Sequence, residues 1–144
     1  MDGLLKQTVN NAPDAILISD REGVICFWNS GAEQMFGHTA AQALGQSLNL
    51  IIPENLRGRH WEGYRRVMAS GETKYKTGLL SSPGVRKDGS RVSLEFSMVL
   101  LHDESGGMQG CASIMRDVTE RWRKEKELKD RLTACETKLA GTAA

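Results

Sequence analysis

Arg86–Met98 reads RKDGSRVSLEFSM, and its second half decides the fold. Val92, Leu94, Phe96 and Met98 alternate with Ser93, Glu95 and Ser97. A period of two sends successive side chains to opposite faces, so this is an antiparallel strand with one face on a core and the other toward water. Arg86-Lys-Asp-Gly89 ahead of it is turn chemistry, which predicts a hairpin with a strand over Lys74–Ser81. Beyond it, Asp103–Gly110 predicts a second turn and Cys111–Met115 a further strand.

Working upstream, the period changes. Pro53 can open a helix that runs to Ser70, where Gly71 stops it. Leu56, His60, Tyr64, Val67 and Met68 fall on one stripe of that helix, and Arg57, Arg59, Glu62, Arg65 and Arg66 mostly fall off it. His60 therefore occupies a core-facing position. Ser30–Leu44 suits short helices broken at Gly37 and Gly45, with Ala32, Met35, Phe36, Ala40 and Ala43 as their apolar positions. Ala15–Ser19 and Val24–Trp28 are β-prone runs joined by Asp20-Arg-Glu-Gly23, a second hairpin in which Asp14, Asp20 and Glu22 have turn or capping roles. Gly3–Val9 predicts a short leading helix ended by Asn10, Asn11 and Pro13. Two strands, a group of helices and three strands define an α+β domain: a five-stranded antiparallel sheet covered on one face by helices.

From Thr119 the chain turns charged and helical. Leu128, Leu132, Cys135 and Leu139 recur at four, three and four, a two-heptad a/d pattern that predicts a coiled-coil helix and a homodimer.

Composition narrows the function classes. The chain has 144 residues, 40% hydrophobic and 26% charged, with a net charge of +1, which fits one folded domain with a short appendage. A near-neutral balance does not imply nucleic acid, which needs gathered positive charge. The longest strongly apolar run, Val92–Leu101, is far short of the roughly 20 residues that span a bilayer, so no membrane association is expected and the chain is read as cytoplasmic. Cys26, Cys111 and Cys135 form no CxxC pair, which suggests neither a disulfide framework nor a zinc site. Cys26 and Cys111 lie in apolar runs and are read as small core residues. No nucleophile arrangement, phosphate loop or metal cluster is present in the sequence, so an enzyme is not expected. His38 and His102 lie in polar, turn-like stretches and are read as surface residues.

Several segments together resemble the PAS family over Val9–Arg121. They are Asp14-Ala-Ile-Leu-Ile-Ser-Asp20 with Gly23, Phe27-Trp-Asn29, Ala32-Glu33, Phe36-Gly37, Ala43-Leu-Gly45, Arg86-Lys-Asp-Gly-Ser90 and Arg116-Asp-Val-Thr-Glu-Arg121. The resemblance implies the PAS fold and a sensory role. It also divides the chain into an N-terminal helical cap (1–12), a PAS sensory domain (13–118) and a C-terminal signalling helix and tail (119–144), the last addressing a downstream signalling protein.

Within this family, Ile51-Ile-Pro-Glu-Asn-Leu-Arg-Gly-Arg-His60 looks like the haem-binding PAS domains of FixL-type and direct oxygen sensors. The resemblance implies haem b, with His60 as the iron ligand and Arg66 near a propionate. Leu56, Tyr64, Met68, Leu80, Phe96 and Met98 would line the pocket. Neutral imidazole on an apolar helical stripe meets the chemical demand, and a guanidinium suits a carboxylate. Where oxygen-binding members carry an arginine, this chain has Leu80, so CO, NO or redox state is favoured over O2 as the signal. The methionine ligand of other members falls on Gly78, and Met98 is read as core packing. The photoactive flavin class needs a cysteine that Leu48–Pro53 lacks. Two alternatives stay open: a small organic ligand among Ile16, Phe27, Phe36, Leu80 and Phe96, or a ligand-free dimerisation module.

Overall fold

The structure is a computed structural model that describes residues 1–73 and 78–142. Helix α1 (Asp2–Asn11) leads into strands β1 (Ala15–Asp20) and β2 (Ile25–Trp28), then helices α2 (Ser30–Phe36) and α3 (Ala40–Ala43). After two 3-10 turns, Leu48–Leu50 and Glu54–Leu56, come helix α4 (Arg57–Ser70), strands β3 (Leu80–Val85), β4 (Arg91–His102) and β5 (Met108–Asp117), and helix α5 (Thr119–Thr142). All strand pairs are antiparallel in the order β2-β1-β5-β4-β3. This is the five-stranded sheet that the alternation in β4 predicts, with helices on one face and a C-terminal helix.

Local chemistry explains the elements. The Asp20 carboxylate accepts the N–H groups of Glu22 (2.9 Å) and Val24 (3.0 Å), which closes the β1–β2 turn. Gly23 there has φ 80°, and a Cβ on it would lie 2.2 Å from the Trp61 ring, so only glycine fits. Thr39 and Gln42 form a reciprocal capping box on α3. Gly71, at φ 70°, ends α4 as predicted.

One side chain joins three elements. Asn29 caps α2 through the Ala32 N–H (2.9 Å) and accepts the Ile16 N–H of β1 (2.8 Å). Its amide donates to the carbonyls of Val9 in α1 (2.8 Å) and Asp14 (3.1 Å). Beside it, a Cβ on Gly31 would meet the Asp14 carbonyl oxygen at 2.2 Å.

Register sets the faces. Ala15, Leu17 and Ser19 of β1, Cys111, Ser113 and Met115 of β5, and Val92 and Leu94 of β4 are buried toward the helices. Phe36 and Ala32 of α2, Leu48 and Ile51 complete that core, each large apolar side chain contributing about 1.5–3 kcal/mol by leaving water. A smaller cluster of Met68, Met108 and Cys111 pins the end of α4 to β5.

Three expectations are corrected. Helix α4 starts at Arg57 because the chain first makes the 3-10 turn Glu54–Leu56 behind Pro53. The strand expected over 74–81 is β3, Leu80–Val85, fixed by pairing Leu80 with Phe96 and Val85 with Arg91; residues 74–77 lie outside the described residues. It tolerates Pro83 because it is an edge strand. Cys26 is exposed, whereas Cys111 is buried as expected. A bulge between Ile18 and Ser19 shifts the register, leaving Ile25 and Trp28 as the buried residues of β2.

Candidate functional site

Helix α4 carries the site, and its ends are held by different chemistry. At the first turn, Arg57 donates to the carbonyls of Ile52 (3.1 Å) and Asn49 (3.2 Å), and Trp61 Nε1 donates to Asn49 Oδ1 (2.7 Å). Midway, Tyr64 spans to β1. Its hydroxyl lies 2.9 Å from Ser19 Oγ and bonds the Asp20 carbonyl oxygen. A carbonyl can only accept, so Tyr64 donates to Asp20 and Ser19 donates to Tyr64. At the last turn Met68 packs on Met108 and Cys111.

These anchors pull α4 toward β1 and β5 and leave the β3–β4 side of the sheet less covered. Val92, Leu94 and Gly84 at one end of that side are buried, but Leu80, Phe96, Met98 and Leu100 at the other end are half-buried. The facing stripe Leu56, His60, Tyr64 and Val67 is half-buried as well. On α4 and on the β3–β4 hairpin alike, apolar side chains thus stay partly open to solvent.

His60 is one of the half-buried side chains of α4. Its ring lies edge-on to Trp61, centroids 4.7 Å apart, and 5.7 Å from Tyr64. Nδ1 is buried and has no hydrogen-bond partner among the described residues. Burial holds the His60 pKa below its ordinary value, so the imidazole is neutral near pH 7, the form that ligates metal. Among the described residues no three His, Cys, Asp or Glu side chains gather to hold a metal ion. A haem would ask this chain for one nitrogen ligand rather than a cluster, and His60 would be the residue to supply it.

The structure packs Tyr64 and Phe96 against the main core and Tyr64 and Met98 against the Met68 cluster, pairs Leu80 with Phe96 across the β3–β4 ladder, and leaves Leu56 and His60 half-buried on α4. Arg66 does not join them. Its side chain is 72% exposed and pairs with Glu62 at 3.2 Å along the outer face of α4. The organic-ligand pocket drawn from sequence is corrected too. Ile16 and Phe27 point to the sheet face opposite Phe36, Leu80 and Phe96, because their neighbours Leu17 and Trp28, paired with each other, point inward. His102 is exposed, and His38 is half-buried with its carbonyl accepting Trp28 Nε1–H at 3.0 Å.

Sequence reasoning missed the Tyr64–Ser19 pair, whose partners are 45 residues apart. Burial pushes the Tyr64 phenol up to about 12, against the opposing Ser19 hydrogen bond. A folded-state value above the unfolded one means that the native state keeps a proton the unfolded chain loses. The contribution is complete below pH about 10 and is lost as pH rises toward 12. Urea midpoints of the wild-type protein should fall between pH 9.5 and 11.5, and Tyr64→Phe should flatten that fall; identical slopes would show that Tyr64 is not the titrating group.

A second missed network ties the sheet to α5. Arg86 donates to the carbonyls of Met35 (3.3 Å) and Arg91 (2.9 Å) and pairs with Asp117 at 3.2 Å. Asp117 accepts from the backbone N–H (2.9 Å) and hydroxyl (2.6 Å) of Thr119, whose hydroxyl accepts the Ser93 N–H (3.0 Å). Arg121 reaches Glu95 of β4.

A five-stranded antiparallel sheet with short helices on one face and a helix leaving β5 is the architecture of a PAS domain. The family described as PAS fold matches residues 9–123, and the chain belongs to it. The Sensor protein FixL of Bradyrhizobium diazoefficiens is 27% identical over 126 residues, covering 88% of this chain and 25% of that protein. The Oxygen sensor protein DosP of Escherichia coli is 23% identical over 124 residues, covering 86% of this chain and 15% of that protein. The chain thus spans a quarter or less of the length of these two relatives. The crystal structure of a PAS domain from Colwellia psychrerythraea superposes with a TM-score of 0.70 at 26% identity, covering 81% of this chain and 98% of that one. No helix among the described residues is long and apolar enough to cross a membrane.

Proposed function

We propose that this PAS domain holds haem b through His60, senses a diatomic gas or the redox state of the iron, and passes the signal as a homodimer to a partner protein through α5. The observation that carries the reading is the buried, unpartnered Nδ1 of a neutral His60 on the apolar stripe of α4. Buried polar atoms are nearly always hydrogen-bonded, and an orphaned ring nitrogen in a core position calls for a function. The relatives named as sensors, one of them an oxygen sensor, agree with it.

In this reading the haem iron supplies the coordination position or the electron that constitutes the signal. The chain does the rest. His60 ligates, Leu56, Tyr64, Leu80, Phe96 and Met98 exclude water, and Met68 closes the end of the pocket. Arg66 leaves Glu62 to hold a propionate at the surface. Leu80, Phe96 and Met98 offer no hydrogen-bond donor, which favours CO, NO or a redox change over O2 as the signal. Strain in β4 reaches α5 through Ser93–Thr119 and Glu95–Arg121, a bias that requires different interaction free energy in the two states.

Hemin titrated into the purified protein should raise a Soret band that saturates at one equivalent per chain. Absorbance that climbs without a break, as hemin alone does, would overturn the reading and leave the organic-ligand or dimerisation alternatives.

A further inference from the structure

Three of the chain's six methionines converge on its one buried cysteine. Met68 from the last turn of α4, Met108 from the start of β5 and Met98 from β4 pack with Cys111 in a cluster of their own beside the main core. Cys111 is 4% exposed, Met68 5% and Met108 8%, and Met98 is half-buried at the edge. The backbone departs from regularity to bring two of these sulfurs together. Residues three apart in a regular strand face opposite sides of a sheet, yet Met108 and Cys111 are buried in the same cluster. The pairing of β4 with β5 passes from Leu101–Gly110 to His102–Met108 and skips Gln109, a bulge that turns Met108 inward. Met108 Sδ then lies against the end of α4, 3.7 Å from where a Cβ on Gly71 would stand.

We propose that this cluster binds one Cu(I) ion, held by the Cys111 thiolate and the thioethers of Met68 and Met108, with Met98 completing the set at the solvent edge. Thiolate and thioether sulfurs are soft ligands that select Cu(I). Charge decides the valence. The thioethers are neutral, and the other side chains packed on the cluster, Tyr64, Val67 and Leu100, carry no charge at neutral pH, so the site holds a single negative charge once Cys111 loses its proton. A monovalent ion leaves it neutral, whereas Zn(II) would leave an uncompensated positive charge among apolar side chains, which is costly.

On binding, the Cys111 S–H bond gives way to a sulfur–copper bond and the proton goes to water. Copper stays Cu(I) throughout, so no oxidant or reductant takes part. Burial holds the Cys111 thiol above its ordinary pKa, so the thiol keeps its proton near neutral pH until an ion displaces it, and affinity should climb about tenfold per pH unit. The inference does not rest on the haem reading. Met68 lies beyond His60 by about 12 Å along the helix, and a bound ion would tie the end of α4 to β4 and β5 whatever else the domain holds.

The test uses the full chain with Cys26→Ser and Cys135→Ser, which removes the two exposed thiols. Copper kept as Cu(I) by ascorbate under nitrogen is presented as its bicinchoninate complex, whose colour reports how much the protein withdraws. The chain should withdraw one equivalent and gain a thiolate-to-copper absorption in the near ultraviolet, and Cys111→Ser should abolish both. Met68→Leu and Met108→Leu remove a sulfur while nearly keeping the volume, so each should keep the parent's urea midpoint and lose about tenfold or more in copper affinity. Failure to withdraw copper from the chelator would overturn the proposal and return the cluster to core packing. A Met68→Leu, Met108→Leu double variant that binds like its parent would overturn it as well, because Cys111 would then be acting as a lone thiol. Hemin is read separately at its Soret band, so either reading can fail without the other.

Discussion

His60→Ala should lose haem almost completely while keeping its fold. Under conditions in which the wild-type protein saturates at one equivalent, its Soret band should fall to that of hemin in buffer, with at least a tenfold loss in apparent affinity. The apolar side chains around it remain, so some adventitious hemin will still bind, but without the His60 imidazole the iron would have no fixed ligand from the protein. The ring also packs on Trp61 and Tyr64, and a truncation there could loosen α4, so His60→Gly with added imidazole is the sharper form. Free imidazole should restore the wild-type band at millimolar concentration. A His60→Ala protein with undiminished, wild-type-shaped absorbance would end the assignment.

Asn29→Ala should be the most damaging polar truncation in the domain, costing about 3 kcal/mol, on the order of 10–15 °C in Tm. Asn29 is 2% exposed and makes four hydrogen bonds, to Ile16, Ala32, Val9 and Asp14. Losing the amide strands two N–H donors and two carbonyls beside Gly31, where the backbone leaves no room for a Cβ. Unsatisfied buried groups cost about 1–3 kcal/mol each, with partial relaxation. Asn29→Asp keeps the two accepted bonds but sets a carboxylate against the carbonyls of Val9 and Asp14, so it should also destabilise. Denaturant midpoints decide; an Asn29→Ala protein within about 0.5 kcal/mol of wild type would show that the hub is not essential.

Much of this was legible in the sequence because local rules governed it. The alternation of β4, the turn Arg86–Gly89, the hairpin closed at Gly23 and the stripe of α4 each follow from periodicity or a required φ. Where long-range pairing decides, local reading fails. Strand β3 contains Ser82, Pro83 and Gly84, a poor strand by composition, and exists because β4 supplies its partners. The face of Cys26 depends on a one-residue shift beside the β1–β2 turn, and those of Ile16 and Phe27 on the pairing of Leu17 with Trp28. At the site, the placement of His60, Leu56, Tyr64 and Met68 followed from helical spacing. Tyr64 and Met98 share a cluster with Met68 through the sheet order, and the rest of the pocket was suggested by family resemblance alone. The Tyr64–Ser19 bond and the Arg86–Asp117 link join residues 45 and 31 apart, and no sequence window holds both partners. Asn29 had a local signal, an Asn directly before a helix start, but its reach back to Val9 did not.

The central claim is that this domain holds a haem whose iron is ligated by His60 and open to a signal. The measurement that tests it most directly is the visible absorption spectrum of protein from haem-supplemented cells, taken as purified, after dithionite and after carbon monoxide. A Soret band that moves on reduction and moves again with carbon monoxide is the predicted result. A flat visible spectrum, unchanged by reductant or gas, would contradict it and return His60 to the role of a core histidine.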